Sequence, residues 1–128
     1  MFFEFISSNQ CMHNALNYER VYKFRFSKND VEKFAEITGD VNPIHLDEEY
    51  AKTTFFKSPI VHGFFVGSVF SRIFGTDYPG IGTIYLNQSM NFKAPVFMDQ
   101  TYYAQIVVNQ IDEDKGNVKL ATTVSDES

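Results

Sequence analysis

The chain contains one cysteine and no tryptophan among its 128 residues. A single thiol cannot close an internal disulfide, and no pair of cysteines and histidines has the spacing of a zinc site. We therefore expect no bound metal and no cofactor. The same scarcity of cysteine is typical of a reducing compartment, so the cytoplasm is the predicted location.

Basic residues are also few, with 11 lysines and arginines against 16 aspartates and glutamates, and the formal net charge is -5. Nucleic-acid grooves and anionic membrane surfaces need clustered positive charge, so nucleic acid and membrane are not expected as partners. No stretch approaches the roughly 18 apolar residues of a membrane span. The opening residues, MFFEFISSNQCMH, lack the basic leader of a signal peptide. Small molecules or proteins remain as partners.

Phenylalanine, by contrast, is abundant, with 14 residues of this type in the chain. The length and the apolar fraction of 44% predict one domain around one hydrophobic core. Residues 1–19 show neither a helical nor a strand period, and we expect a poorly defined lead-in there. Residues 20–128 are predicted to form the domain.

The first half of this domain carries clear local signals. Alternation over residues 20–27 predicts a strand. Ser27 and Asp30 form a capping box that begins a helix, and Gly39 has the position of a left-handed C-terminal cap. After a bend at Asn-Pro, Asp47 is expected to cap a second short helix.

The second half predicts a helix enclosed by a sheet. The helix expected over residues 62–75 has apolar residues on nearly every side, and a helix that is apolar all round is buried all round. Three alternating stretches, at residues 82–95, 101–111 and 118–124, predict an antiparallel meander. A long curved antiparallel sheet wrapped around one buried helix is an α+β architecture, the hot-dog fold.

The stretch EITGDVNPIHLDEEYA places Asp40 and His45 on either side of a sharp Gly/Asn-Pro turn. A carboxylate and an imidazole mounted in this way can hold a water between a base and a proton donor. The alternative is structural, with Asp40 capping the next turn and His45 bonding only to backbone. Asn42 either orients Asp40 through its side chain or is simply a turn residue.

Three further polar candidates lie around the predicted buried helix. Gly63 begins it and can offer an unhindered N–H to an oxygen that develops negative charge, although a glycine there also permits close packing. His62 is more often a structural histidine than a catalyst at such a position. Ser71, in an otherwise apolar helix, needs a hydrogen-bond partner, for which the backbone carbonyl one turn back is the simplest choice.

The run from Phe34 to Ala51, FAEITGDVNPIHLDEEYA, resembles the signature of the MaoC-like (R)-specific enoyl-CoA hydratase and dehydratase family. Two later blocks, SPIVHGFFVGSVFSRIFG and PGIGTIYLNQSMNFKAPVFMDQTYYAQIVV, are similar to that family in order and spacing. The resemblance therefore covers most of the predicted domain. The first twenty residues have no counterpart in it, and the chain ends at VSDES, where the family turns back for one more strand.

The resemblance implies a homodimeric hot-dog enzyme that adds water to a trans-2-enoyl thioester and yields an (R)-3-hydroxyacyl thioester. Carried over by position, Asp40 and His45 are the dyad that activates the water, and the Gly63 N–H polarises the thioester carbonyl. Ser71 matches a serine near the dyad, while Asn42 and His62 are supporting residues. The reaction requires an acid/base pair and an oxyanion donor, which are the roles deduced from the residues.

The predicted function is thus hydration of enoyl-CoA, or the reverse dehydration. An acyl-CoA substrate is preferred to an acyl-carrier-protein ester, because an acidic carrier needs a basic docking patch that this chain lacks. Three alternatives stay open: an acyl-carrier-protein 3-hydroxyacyl dehydratase, a hot-dog thioesterase, and a non-catalytic module that binds acyl thioesters.

Overall fold

The structure, a computed structural model, describes residues 2–6, by their backbone, and residues 17–127. The elements in chain order are β1 (Phe2–Ile6), β2 (Glu19–Phe24), α1 (Lys28–Thr38), α2 (Pro43–Leu46), α3 (Glu48–Thr53), α4 (Gly63–Thr76), β3 (Ile84–Ser89), β4 (Tyr102–Asp112) and β5 (Asn117–Ser125). Among these residues, no helix is long and apolar enough to cross a membrane.

The five strands form one sheet in the order β2-β4-β5-β1-β3. Strands β4 and β5 pair antiparallel through the predicted hairpin, and β1 pairs antiparallel with both β5 and β3. The predicted meander is therefore wrong in one respect, because β3 neighbours β1 and not β4. Sequence order favours pairing of successive strands, but it does not oblige it.

Strand β1 lies where the sequence predicts no element. Its five residues, FFEFI, are too few to display a strand period. The resemblance predicts that one sheet strand is missing after residue 124, and in the structure β1 pairs with β5 along its whole length. The N-terminal residues thus add a strand beside β5, while the domain boundary at residue 20 stays a prediction.

The described residues divide into two compact units, and the first contains the sheet, Val69–Asn91 and the second part of α4. Alternate residues of β4 and β5 are buried, as a period of two requires: Tyr102, Ala104, Ile106, Val108, Val118, Leu120 and Thr122. From α4 the side chains of Val69, Phe70, Ile73 and Phe74 are buried as well. Helix and sheet residues therefore share the core of this unit.

Strand β3 is shorter than predicted and faces the opposite way. The sequence places Ile84 and Leu86 on the core side, but their side chains are 60% and 45% exposed. Tyr85 instead approaches Phe74, with ring centroids 6.0 Å apart. Side chains alternate between the two faces of a strand, so the inward position of Tyr85 leaves Ile84 and Leu86 on the outer face.

The second unit comprises Phe24–Ser68 and Phe92–Thr101. Its helix α1 confirms the predicted caps: Ser27 and Asp30 form the capping box, and Gly39 has a φ of 77°. The first turns of α4 belong to this unit, and Phe64 in them is 71% exposed, so the prediction that the helix is buried all round is wrong. Phe65 stacks on Phe26 and Phe34 at 4.0 and 4.6 Å.

Candidate active site

The turn after α1 presents Asp40 and His45 from two adjacent elements. Gly39 ends α1, and the Asn42 side chain caps α2 by accepting a hydrogen bond from the N–H of Ile44 at 3.2 Å. Pro43 is the first residue of α2, a position where its missing N–H costs nothing. His45 therefore lies inside a short helix, whereas the sequence predicts a bend before α3 and no helix at this point.

His45 is held by its ring nitrogen Nδ1. The side chain is buried, and Nδ1 lies 2.8 Å from the carbonyl oxygen of Ile60. A carbonyl only accepts hydrogen bonds, so Nδ1 carries the proton and the lone pair of the neutral ring lies on Nε2. The histidine does bond to backbone, as the structural alternative expects, but this bond leaves Nε2 ready to take up a proton.

The pKa of the His45 imidazole lies below its usual range. Burial is the main cause, and the neighbouring His62 lowers the pKa further. The bond to Ile60 and the charge of Asp40 act in the opposite direction. At neutral pH the imidazole is therefore mainly uncharged, the state in which it accepts a proton.

Asp40 combines an accessible carboxylate with an anchored backbone. Its side chain is 52% exposed, and the carboxylate accepts a hydrogen bond from the N–H of Asn42 at 3.4 Å. Its own N–H donates to the Thr38 hydroxyl at 3.3 Å. Its carbonyl oxygen accepts a hydrogen bond from Nε2 of His62 at 3.0 Å. The Asn42 side chain, by contrast, caps α2, which agrees with its interpretation as a turn residue.

His62 completes a group of three side chains. Its ring is 2% exposed and stacks on the ring of His45, with centroids 3.8 Å apart and planes at 29°. One ligand atom from each of Asp40, His45 and His62 lies within 4.8 Å of the others. A water that accepts or donates two hydrogen bonds of about 2.8 Å spans such a separation.

The same three residues are a type of set that can bind a metal ion. Imidazole lone pairs lie in the plane of the ring, so rings that stack face to face direct their lone pairs side by side and not toward one point. His62 also uses Nε2 to donate to the Asp40 carbonyl. This arrangement suits hydrogen bonding to a water better than coordination of a metal ion.

Gly63 follows His62 and is the first residue of α4. A Cβ built on it would lie 2.8 Å from the Phe92 ring. The glycine therefore does permit close packing, as one of its two interpretations states. Because it is the first residue of the helix, its N–H is also one of the groups without an intrahelical partner.

Ser71 belongs to the other unit, where it lies near Tyr85 of β3. Burial raises the pKa of Tyr85, and the neighbouring Ser71 lowers it by a smaller amount. Asp40, His45, His62 and Gly63 all lie in the second unit, whereas Ser71 lies in the first.

A cavity of about 230 Å³ opens beside His45 in the second unit. It is lined by Lys28, Glu32, His45, Leu46, Glu48, Lys52, Lys57, Ser58, Pro59, Phe97, Met98 and Asp99. Apolar and charged side chains both contribute, so a small molecule with an apolar part and a polar part can occupy it and contact His45.

Sequence reasoning misses two contributors to this site. The Ile60 carbonyl that orients His45 is a backbone group, and no residue type signals it. The sequence predicts that Phe92 lies in a strand, whereas it lies beyond the end of β3 and covers Gly63. Both contacts join segments that are distant along the chain, so no local pattern could reveal them.

The fold and the site define an α+β protein with a carboxylate–imidazole pair next to the first turn of a helix. The model of the MaoC like domain family matches residues 13–128. The chain is 44% identical over 100 residues to an (R)-specific enoyl-CoA hydratase of Aeromonas caviae, covering 78% of this chain and 75% of that protein. It is 39% identical over 105 residues to a 3-hydroxybutyryl-CoA dehydratase of Methylorubrum extorquens, covering 82% of this chain and 67% of the relative.

A solved (R)-hydratase of A. caviae, described as involved in PHA biosynthesis, superposes on the chain with a TM-score of 0.83. The two are 39% identical, and the alignment covers 90% of this chain and 86% of that structure. The predicted hot-dog fold is thereby confirmed. The chain belongs to the MaoC-like dehydratase family.

Proposed function

We infer that this chain is a hydro-lyase that adds water to trans-2-enoyl-CoA to give (R)-3-hydroxyacyl-CoA, or catalyses the reverse dehydration. The relatives at 44% and 39% identity carry the names of such enzymes. The observation that carries the inference is the pairing of an accessible Asp40 carboxylate with a His45 ring whose Nδ1 is bound by Ile60. The carboxylate and the unprotonated Nε2 can each accept a hydrogen bond from a single water.

We propose the following course for hydration. The water is held between the Asp40 carboxylate and Nε2 of His45, and one of the two takes a proton from it. The oxygen adds to the β carbon while the π electrons move toward the thioester, whose oxygen gains negative charge. The member that took this proton then delivers it to the α carbon, so one H and one OH are added and no redox partner is needed.

Gly63 is the proposed donor to the thioester oxygen. The first N–H groups of a helix are aligned with its positive end, and such donors stabilise an oxyanion more strongly than a neutral carbonyl. This role is compatible with the packing of Phe92 against the same glycine. Ser71, Asn42 and His62 stay proposed supporting residues.

We propose a cytoplasmic homodimer that uses acyl-CoA. Several large apolar side chains are exposed and could be covered by a second copy: Ile37, Val41, Phe55, Phe64, Ile81, Ile84 and Phe92. The excess of acidic residues disfavours docking of an acidic carrier protein. Sedimentation equilibrium reads the oligomeric state, and a monomer at assay concentration would contradict the dimer.

The function is tested by the loss of enoyl ultraviolet absorbance when purified protein meets crotonyl-CoA. A stereospecific dehydrogenase identifies the handedness of the product. We expect the (R) product, and we expect Asp40→Asn to reduce turnover by ~10²–10⁴-fold, the usual contribution of a positioned acid or base. A folded wild-type protein that binds but does not hydrate crotonyl-CoA would contradict the inference and favour a non-catalytic module.

Asp47→Asn is the matched control for this experiment. It removes the same charge seven residues away, and its amide oxygen can still cap α3 by accepting the hydrogen bond from Tyr50 that Asp47 accepts at 3.0 Å. We expect its turnover to match that of the wild type. An equal loss in both variants would mean that the carboxylate of Asp40 has no specific role.

A further inference from the structure

We propose that His62 is a positioning residue that sets the geometry between Asp40 and His45; this proposal rests on the function inferred above. His62 is 17 positions from His45 and 22 from Asp40, and it contacts both. It contacts the backbone of Asp40 and the ring face of His45. A single buried side chain therefore connects the two members of the acid/base pair.

The contact with Asp40 fixes a turn that has little other support. The described residues Gly39, Asp40, Val41 and Asn42 are all exposed. Nε2 of His62 donates to the Asp40 carbonyl at 3.0 Å, and the same nitrogen lies 4.0 Å from the carboxylate. Loss of this donor would leave the position of the carboxylate to the weaker contacts of Thr38 and Asn42.

The contact with His45 fixes the plane of its imidazole. The hydrogen bond from Nδ1 to Ile60 restrains one edge of the His45 ring. The ring can still rotate about the axis of that hydrogen bond. The ring of His62, stacked at 3.8 Å, closes off one face. Edge and face together determine where Nε2 points, and hence where the water lies.

The protonation state of His62 suits positioning better than proton transfer. The Asp40 carbonyl requires Nε2 to carry a proton, so the lone pair of the neutral ring is on Nδ1. Nδ1 is buried, and none of the described residues hydrogen-bonds to it. This nitrogen is therefore not exposed to a substrate, and the His62 ring is tilted by 52° to the Phe34 ring, with centroids 4.9 Å apart.

Two substitutions separate the two contacts. His62→Phe retains a ring against His45 and has no N–H for the Asp40 carbonyl. His62→Gln retains an amide N–H and has no ring to stack. We expect each to lower kcat by ten- to a hundredfold with a smaller change in KM, because a displacement of about 1 Å in a reacting group costs on the order of 10²-fold.

The pH profile provides a readout that a purely structural role would not change. His62 lowers the pKa of His45, so its removal moves the limb of the profile that belongs to His45 to higher pH, whether His45 acts as base or acid. The other charged groups near His45 are unchanged in both variants, namely Asp40 and the cavity residues Lys28, Glu32, Glu48, Lys52, Lys57 and Asp99.

Ile106→Val is the control for loss of stability alone. Ile106 is fully buried in β4, and none of the contacts of His62 described above involves it. We expect this variant to unfold at lower temperature, with kcat per folded molecule and pH profile unchanged. If the His62 variants behave in the same way, His62 is a structural residue and the proposal is wrong.

Titration of the His45 ring by NMR keeps the test independent of turnover. The chain has three histidines, so the signals are few and can be assigned by substitution. We expect the titration of His45 to move to higher pH in His62→Phe. Inactive wild-type protein would reject the proposed function, whereas an unchanged His45 titration together with wild-type kcat in both variants would reject the positioning role.

Discussion

At the scale of single residues, Gly63 meets two requirements at once. The Phe92 ring lies where a Cβ would be, at 2.8 Å, and the backbone N–H begins a helix. The ring is 59% exposed, so it can move outward if a methyl group is added. Displacing the Phe92 ring therefore costs little stability. Blocking access to the Gly63 N–H, by contrast, would remove the proposed hydrogen bond to the thioester oxygen.

We predict that Gly63→Ala changes the free energy of unfolding by less than about 1 kcal/mol, because alanine favours the helix and offsets the displaced ring. We expect kcat/KM to fall at least tenfold, since the methyl group and the displaced ring obstruct the thioester oxygen. Stopped-flow hydration of crotonyl-CoA and urea unfolding measure the two effects.

Gly75→Ala in the same helix is the matched control, because nothing lies within 4 Å of the added Cβ. It should gain stability and retain activity. Adding Phe92→Ala to Gly63→Ala removes the displaced ring. Full recovery of activity in the double variant would assign the loss to the displaced Phe92 ring and not to the added methyl group.

At the scale of elements, α1 leads directly into the turn that carries Asp40, and both ends of the helix are fixed by local contacts. Ser27 accepts a hydrogen bond from the N–H of Asp30 at 3.2 Å, and Asp30 accepts from the Ser27 hydroxyl at 2.7 Å. At the other end the N–H of Gly39 donates to Ala35 at 2.8 Å. The helix therefore ends sharply at Gly39, and the chain continues directly into Asp40.

We predict that Ser27→Ala lowers the free energy of unfolding at neutral pH by about 1 kcal/mol, the usual value of an N-cap. The Ser27 hydroxyl and N–H hold the pKa of Asp30 below its ordinary value of 3.8. A depressed carboxyl pKa contributes stability above the unfolded value, which is lost as pH falls through the folded one. The difference between variant and wild type should therefore shrink below about pH 4.

Denaturant unfolding at pH 7 and at pH 3 measures this effect. Ser89→Ala, an exposed serine at the end of β3, is the control and should alter stability little at either pH. A deficit in Ser27→Ala that is equal at both pH values would contradict the capping-box interpretation of the Asp30 shift.

At the scale of the whole molecule, His45 links the active site to acid sensitivity. Its pKa in the folded protein lies below the ordinary 6.5. Between the two values the unfolded chain binds more protons than the folded one, so stability rises with pH there. The His45 imidazole is thus mainly uncharged at neutral pH, and the consequence is a fold that weakens as the solution becomes acidic.

We predict that the free energy of unfolding decreases from pH 7 to pH 5, and that His45→Gln shows a smaller decrease, because the substituted side chain does not titrate. Thermal or urea unfolding across this range measures both slopes. The carboxylates contribute equally in the two proteins, so the difference isolates His45. Parallel slopes would show that burial of His45 has no effect on the proton balance.

Patterns that depend on neighbouring residues could be predicted from the sequence. Strands β4 and β5 alternate visibly because one face is buried and the other is not. The caps of α1 and α2, between which Asp40 lies, rest on contacts within four residues of each other. The proximity of Asp40 and His45 is therefore determined by a short stretch of the chain.

Only the tertiary structure decided how distant segments meet. Strand β1 pairs with β5 and β3, Tyr85 faces Phe74, and Phe64 remains exposed, each against the sequence prediction. The same holds for the Ile60 carbonyl that orients His45 and for the bond from His62 to Asp40. These contacts join residues from 11 to more than 100 positions apart, where the free energy depends on competing burial and not on local periodicity. The sequence by itself thus determined the turn that brings Asp40 and His45 together, and the folded chain determined how the two side chains are oriented.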